Sequence, residues 1–230
     1  MGSEAATKRT VQPMSWQRAL IRSVPLFLAL LAIGLVYYFV SDQLTVGPRG
    51  LILELIILLV LILIVAIRVG HTGVSRSVSI VLLGVVTLAE AISTSALIAG
   101  LLSTSTRMNE IPHDTALALL RDGALIWLVN ILTFAFWYWE LDGGGPARRH
   151  HMGYHSSDFV FPQVTLGSDA EHPWMPHFVD YLFLAFNTST AFSPTDTLVL
   201  SVRAKLLMMT QALISLSVLA ILAARAVNTL

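Results

Sequence analysis

The sequence predicts an all-α integral membrane protein with about five transmembrane helices plus one re-entrant half-helix of pore type. Three observations carry that reading. The 230 residues are 55% hydrophobic and only 12% charged, about half the charge of a soluble domain. The apolar residues gather into blocks, and about 20 consecutive residues suffice to cross the hydrocarbon. In the stretch 181–228, an apolar run too short to cross leads into a Thr/Ser-rich tract and then a full-length apolar helix. Irregular backbone at membrane depth is tolerated only where protein buries it or water lines it, so this layout marks a re-entrant loop.

Residues 24–40 form the first block, with Tyr37, Tyr38 and Phe39 as an interfacial anchor. The N-terminus before it is basic, and no small-residue cleavage site follows, so the block is a retained span and not a signal peptide. Gly47-Pro48-Arg49-Gly50 turns the chain into the Leu/Ile-rich block 51–69, and a second short turn leads into residues 77–102. Pro112 and Asp114 suit a helix start, so the fourth block, 122–141, can begin near Asp114. It ends in Trp137-Tyr138-Trp139-Glu140, a second aromatic belt, and Gly143-Gly144-Gly145-Pro146 stops it. Residues 142–177 read as a loop holding five of the seven histidines. The organisation is thus a three-helix membrane region, 1–121, and a pore-like module, 122–230. The module consists of an outer helix 122–141, the polar loop 142–177, a re-entrant helix with a filter-like tract 178–196, and an inner helix 203–227.

Net charge is zero, so nothing points to nucleic acid; the implied surroundings are the lipid bilayer. There are no cysteines, which excludes disulfides and thiolate metal sites. The chain shows no Ser/His/Asp set, phosphate loop or zinc motif, so neither an enzyme nor a cofactor is expected. Lys8, Arg9, Arg18, Arg22, Arg68, Arg76, Arg148, Arg149, Arg203 and Lys205 fall on one side of this topology. Arg49, Arg107, Arg121 and Arg225 fall on the other. The positive-inside rule then places the N-terminus and loop 142–177 in the cytoplasm. The mouth of the half-helix lies on that side too. The pore loop of an ordinary cation channel enters from outside, so either this loop is inverted or one crossing is miscounted.

Several residues are candidates for function. Thr188, Ser189, Thr190, Ala191, Phe192, Ser193, Thr195 and Asp196 suit a hydroxyl-lined constriction, with Asp196 as a cation-attracting ring where four chains meet. The alternative is a capped turn, Ser193-Pro194-Thr195-Asp196 opening a short helix. Asp180 suits the start of the half-helix, where the macrodipole favours an acid. Gln211 and Ser215 share a helix face and, with Thr210 and Ser217 nearby, either line a wet cavity or hold helices together. Glu90 is the deepest carboxylate, on a helix side made polar by Thr87, Ser93 and Thr94. An intramembrane acid suggests a proton or cation site; the plainer reading is a hydrogen bond to Asn130, also mid-span. Glu54 lies one turn inside its helix and can snorkel to the interface. His150, His151 and His155, with Asp158, include an i, i+4 pair of metal-ligand type and could form a pH-sensitive loop. No regular helix is indicated there, so the expectation is a solvated loop without metal.

The stretch 181–228 resembles the pore module of tetrameric cation channels, in which a pore helix, a Thr-rich filter and an inner helix follow one another. In that resemblance Thr188 and Thr190 stand at the filter threonines, Asp196 at the closing acid, and Arg203 and Lys205 open the inner helix. The Gly-Tyr-Gly of potassium channels is replaced by Phe192-Ser193-Pro194-Thr195. Pro194 fixes φ near −65° and restricts Ser193, so a row of inward carbonyls is not expected and potassium selectivity does not carry over. The chain is also similar to a group of bacterial inner-membrane proteins through WELDGGGP at 139–146, DFxFPQ at 158–163 and FVDYLFLAFNTSTAFSPTD at 178–196. LMMTQALISL and ARAVN in the last helix extend that likeness, which brings no activity with it. The expectation is a channel-like homo-tetramer passing monovalent cations through a non-standard filter, since one loop per chain cannot enclose a pore. A proton-coupled transporter using Glu90, or a non-conducting scaffold of the same shape, are the alternatives.

Overall fold

The computed structural model describes residues 27–28, 30–36, 38–39, 51–69, 72–104, 113–146, 148–149, 154, 158–167, 174–190 and 196–229. The first expected span is helical at 27–28, 30–36 and 38–39. It is followed by α1 (Leu51–Val69), α2 (Thr72–Thr104) and α3 (His113–Leu141). Beyond a 3-10 turn at Asp142–Gly144 come β1 (Phe159–Val160), α4 (Pro162–Thr165), α5 (Phe178–Thr190), β2 (Leu198–Val199) and α6 (Val202–Thr229). Among the described residues three stretches are long and apolar enough to cross a membrane: Arg76–Ala99, Leu120–Gly144 and Val202–Ala224.

Helix α3 is the hub and packs against α2, α5 and α6; α1 lies on α2, and α5 also packs on α6. The third helix starts at His113, where Pro112 and Asp114 suggested it. It stops at a glycine run with φ of 60° at Gly143, 83° at Gly144 and 94° at Gly145. Residues with a Cβ adopt these left-handed values only at a cost. One core runs from Leu30, Ile56 and Leu82 through Phe134 and Tyr138 to Phe159, Tyr181 and Ala204. It passes across the boundary expected at 121/122. A smaller cluster of Leu97, Ile126 and Val218 closes the other end.

The polar loop expected over 142–177 is in part built into the core, and the solvated surroundings expected for Asp158 are corrected. Arg149, Asp158, Phe159 and Phe161 are buried, and Phe159 pairs with Val199 and Val160 with Leu198 in an antiparallel two-stranded ladder. A strand of two residues has no readable period, and its partner lies beyond α5 in the chain. The histidines His150, His151 and His155 lie outside the described residues, and among the described residues no group of three potential ligands converges on a metal site.

Helices α3 and α6 approach closely at Gly123, where a Cβ would meet Leu222 Cδ2 at 2.8 Å. Small residues at such crossings let helices pack tightly in lipid. Gly123→Leu is expected to cost about 1–3 kcal/mol by overpacking, read as a lower unfolding midpoint in detergent. Gly123→Ala is nearly silent because only the flexible Leu222 tip must move. The outer side of α6 is apolar: Leu206, Met209, Leu213 and Leu216 form a stripe at helical spacing, each more than half exposed.

Candidate functional site

Two polar clusters are built into this apolar frame, one at the end of α3 and one at the middle of the spans. The first centres on Asp142, which is fully buried. Its Oδ2 accepts the Tyr181 hydroxyl at 2.6 Å, and its Oδ1 faces the backbone N–H groups of Asp158 and Phe159 at 3.3 and 3.4 Å. Asp158, also buried, accepts from Ser201 Oγ at 2.5 Å and from Arg203 through both Nε (2.7 Å) and Nη2 (2.8 Å). That bidentate fork is the strong form of an Arg–carboxylate pair. Leu200 N–H adds a bond to the Asp158 carbonyl at 2.9 Å.

Arg149 supplies the buried positive charge. Its Nη1 donates to the Trp139 carbonyl at 2.9 Å and to the Asp142 carbonyl. Its guanidinium lies 4.9 Å from the Trp139 ring centre and 5.3 Å from that of Tyr181, a cation–π arrangement. Glu140 is within electrostatic reach of Arg149 and Arg76. Trp139 and Phe161 stand edge-on to Tyr181 at 5.5 and 5.2 Å. The knot therefore joins the end of α3, the 142–161 segment, the start of α5 and the start of α6.

The second cluster lies deeper. Asn130, twelve residues before Asp142 on the chain, is about 18 Å along the helix at 1.5 Å per residue. Its Oδ1 accepts from Ser215 Oγ of α6 at 3.2 Å and from Ser189 Oγ of α5 at 3.4 Å, and the two serines bond each other. Tyr138 donates to Gln211 Oε1, and Gln211 Nε2 donates to the Ala185 carbonyl at 2.8 Å. Asn130, Ser189, Gln211 and Ser215 are all buried. On the other side of Asn130 stands Glu90 of α2, fully buried, with neither carboxyl oxygen hydrogen-bonded.

These positions revise several expectations. Gln211 and Ser215 share a face, as their spacing requires, but that face is turned into the protomer and bonded there, so the helix-holding role describes their contacts. Glu90 and Asn130 are neighbours, as expected; the Asn130 oxygen serves the two serines, and its Nδ2, which makes no other bond, is the group free to donate to the Glu90 carboxyl. Thr188 and Thr190 belong to the last turn of α5 and donate to the Leu184 and Phe186 carbonyls at 2.8 and 3.1 Å; Ser189 alone of the three is buried among partners. Asp180 lies in the first turn of α5, where its carboxylate accepts the His177 N–H at 2.6 Å. Glu54 and Asp196 are exposed. Ala191, Phe192, Ser193 and Thr195 lie outside the described residues.

The sequence reading missed Asp142, Tyr181, Arg149, Tyr138, Ser201 and the partners of Asp158. The one signal available was a charged or hydroxyl group set among aromatics, as in WELD and DFVF. A scan against protein-family models, a search of curated proteins and a search of solved structures return no match to this chain.

Proposed function

We propose that the chain is a channel-like membrane protein in which residues 178–203 enter and leave the membrane on one face, with four copies enclosing a path for monovalent cations. The observation that supports this reading is that both ends of the segment are tied to one knot while its middle reaches the mid-span cluster. Tyr181 bonds Asp142 at the start, and Ser201 and Arg203 bond Asp158 at the end. Between them Ser189 contacts Asn130 and Ser215. The 13-residue α5 is about 20 Å long, short of the roughly 30 Å of hydrocarbon. The eight residues from Thr190 to Leu198 reach about 26 Å when extended, enough to return to the knot.

Arg76, Arg148, Arg149, Arg203 and Lys205 sit on the elements that meet at the knot end, so the positive-inside rule turns that end to the cytoplasm. Asp196, exposed near it, is the acid that draws cations to the mouth. Since Gln211 and Ser215 are bonded inside the protomer, the path is lined by the tract after Thr190 and not by the polar stripe of α6.

The natural absence of cysteine makes single-cysteine labelling clean. Val179→Cys and Leu200→Cys, both at exposed positions, are expected to react with a membrane-impermeant thiol reagent from the same side. Ala99→Cys, at the far end of its span, reacts from the other. Labelling of Val179→Cys and Leu200→Cys from opposite sides sinks the re-entrant reading. Absence of cation flux in liposomes holding the reconstituted protein sinks conduction.

A further inference from the structure

Hydroxyl side chains inside helices commonly satisfy themselves on a carbonyl one turn back. Thr87 does so on Leu83 at 2.7 Å, Ser95 on Ala91 at 2.8 Å, Thr210 on Leu206 at 2.9 Å and Ser217 on Leu213 at 2.8 Å. Ser93, Thr94 and Thr133 do not. They are buried at 0%, 5% and 0% exposure, and their oxygens have no hydrogen-bond partner. Leaving such groups unpaired in an apolar interior is costly, so three together mark a place built for something else.

All three lie on the helix faces of α2 and α3 that carry Glu90 and Asn130. Ser93 and Thr94 follow Glu90 by three and four residues on α2 and share its face. Thr133 lies on α3 between Asn130, which faces Glu90, and Trp137, whose Nε1 donates to Thr87 of α2 at 2.8 Å. It therefore lies on the α2-facing side of α3. Glu90 is fully buried with both oxygens unpartnered, and Asn130 is the polar neighbour that acts on it. A carboxylate in an apolar interior needs a counter-charge or a proton.

We infer that Glu90, Ser93, Thr94 and Thr133 form a buried oxygen site for one monovalent alkali cation such as sodium, bordered by Asn130. One carboxylate among neutral oxygens balances a single positive charge, and oxygen donors suit a hard cation. A shared proton joins two oxygens in a hydrogen bond of about 2.5–3.0 Å, and no oxygen of this set is hydrogen-bonded to another. An ion seated between its ligands holds them further apart. Because Ser189 and Ser215 can donate to or accept from an amide, Asn130 can turn either its oxygen or its nitrogen towards Glu90. It thereby links the site to the tip of α5.

The test is the thermal unfolding midpoint of the full chain in detergent at mildly alkaline pH, in sodium chloride against choline chloride of equal concentration. A ligand that binds only the folded state raises the midpoint in step with its concentration. Sodium is expected to raise the wild-type midpoint by several degrees. Glu90→Gln removes the response, and Thr133→Val weakens the apparent affinity at least tenfold. Where Glu90→Gln fails to fold, Thr133→Val and Thr94→Val decide. Equal midpoints in sodium and choline overturn the inference, as does a sodium response unchanged in these variants. The site stands apart from the course of residues 178–203: a sodium response that depends on Glu90 survives labelling of Val179→Cys and Leu200→Cys from opposite faces.

Discussion

Replacing Asp142 with alanine is expected to destabilise the protein by about 3–5 kcal/mol, the cost of leaving one member of a buried charged cluster uncompensated. Asp142 is 0% exposed and accepts from Tyr181 on α5 and from the backbone at the start of β1. Its loss strands the Tyr181 hydroxyl, itself fully buried, at about 1–3 kcal/mol, and removes one of the acids opposite Arg149. Asp142→Asn keeps one acceptor oxygen but turns its NH2 towards either Tyr181 or the Asp158 and Phe159 N–H groups. It also forfeits the charge, so it recovers only part of the loss. Denaturant titration in mixed micelles reads both. A loss below about 1 kcal/mol in the alanine variant removes Asp142 from the centre of the arrangement. Against a typical total stability of about 5–15 kcal/mol, the larger value takes a substantial part of what holds the fold.

The elements that were legible in the sequence are those decided by a single stretch of chain. Apolar length alone marked the cores of α2, α3 and α6, Pro112 with Asp114 marked the start of α3, and the glycine run marked its end. Asp142 was not legible, because in WELDGGGP it reads as the first polar residue of a loop. Its burial depends on Tyr181, which arrives from a separate helix. Asp158 was read beside the histidines and is instead held by Ser201 and Arg203, beyond α5. No periodicity encodes a pairing of that kind.

The hydroxyl-rich tract shows a different limit. The sequence does not show that Thr188 and Thr190 donate to the Leu184 and Phe186 carbonyls one turn back, a bond that leaves each hydroxyl its acceptor lone pairs. For Gln211 and Ser215 the shared face was legible and the neighbour it meets was not. The same ambiguity hid the difference between Thr87, which is satisfied, and Ser93, Thr94 and Thr133, which are not.

Arg149→Met is the second large expected effect. Arg149 is the one buried basic side chain among the described residues, at 2% exposure, and both Glu140 and Asp142 feel its charge. Methionine fills much of the volume but leaves two buried acids with less counter-charge, at about 3–5 kcal/mol. Lysine is a poor substitute, because a point charge replaces a planar fork that both stacks on Trp139 and bonds two carbonyls. Arg149→Lys should recover less than half of the loss. Combined with Asp142→Ala, Arg149→Met is expected to cost less than the two separate losses added together, by about 1–3 kcal/mol, since removing both charges leaves less uncompensated. Strict additivity means the two residues act separately. The same variant connects stability to the proposed function. If one knot holds both ends of residues 178–203, Arg149→Met speeds thiol labelling of Leu200→Cys several-fold and leaves Ala99→Cys unchanged. An equal rise at both positions is general loosening, and it denies the knot its specific hold on the segment.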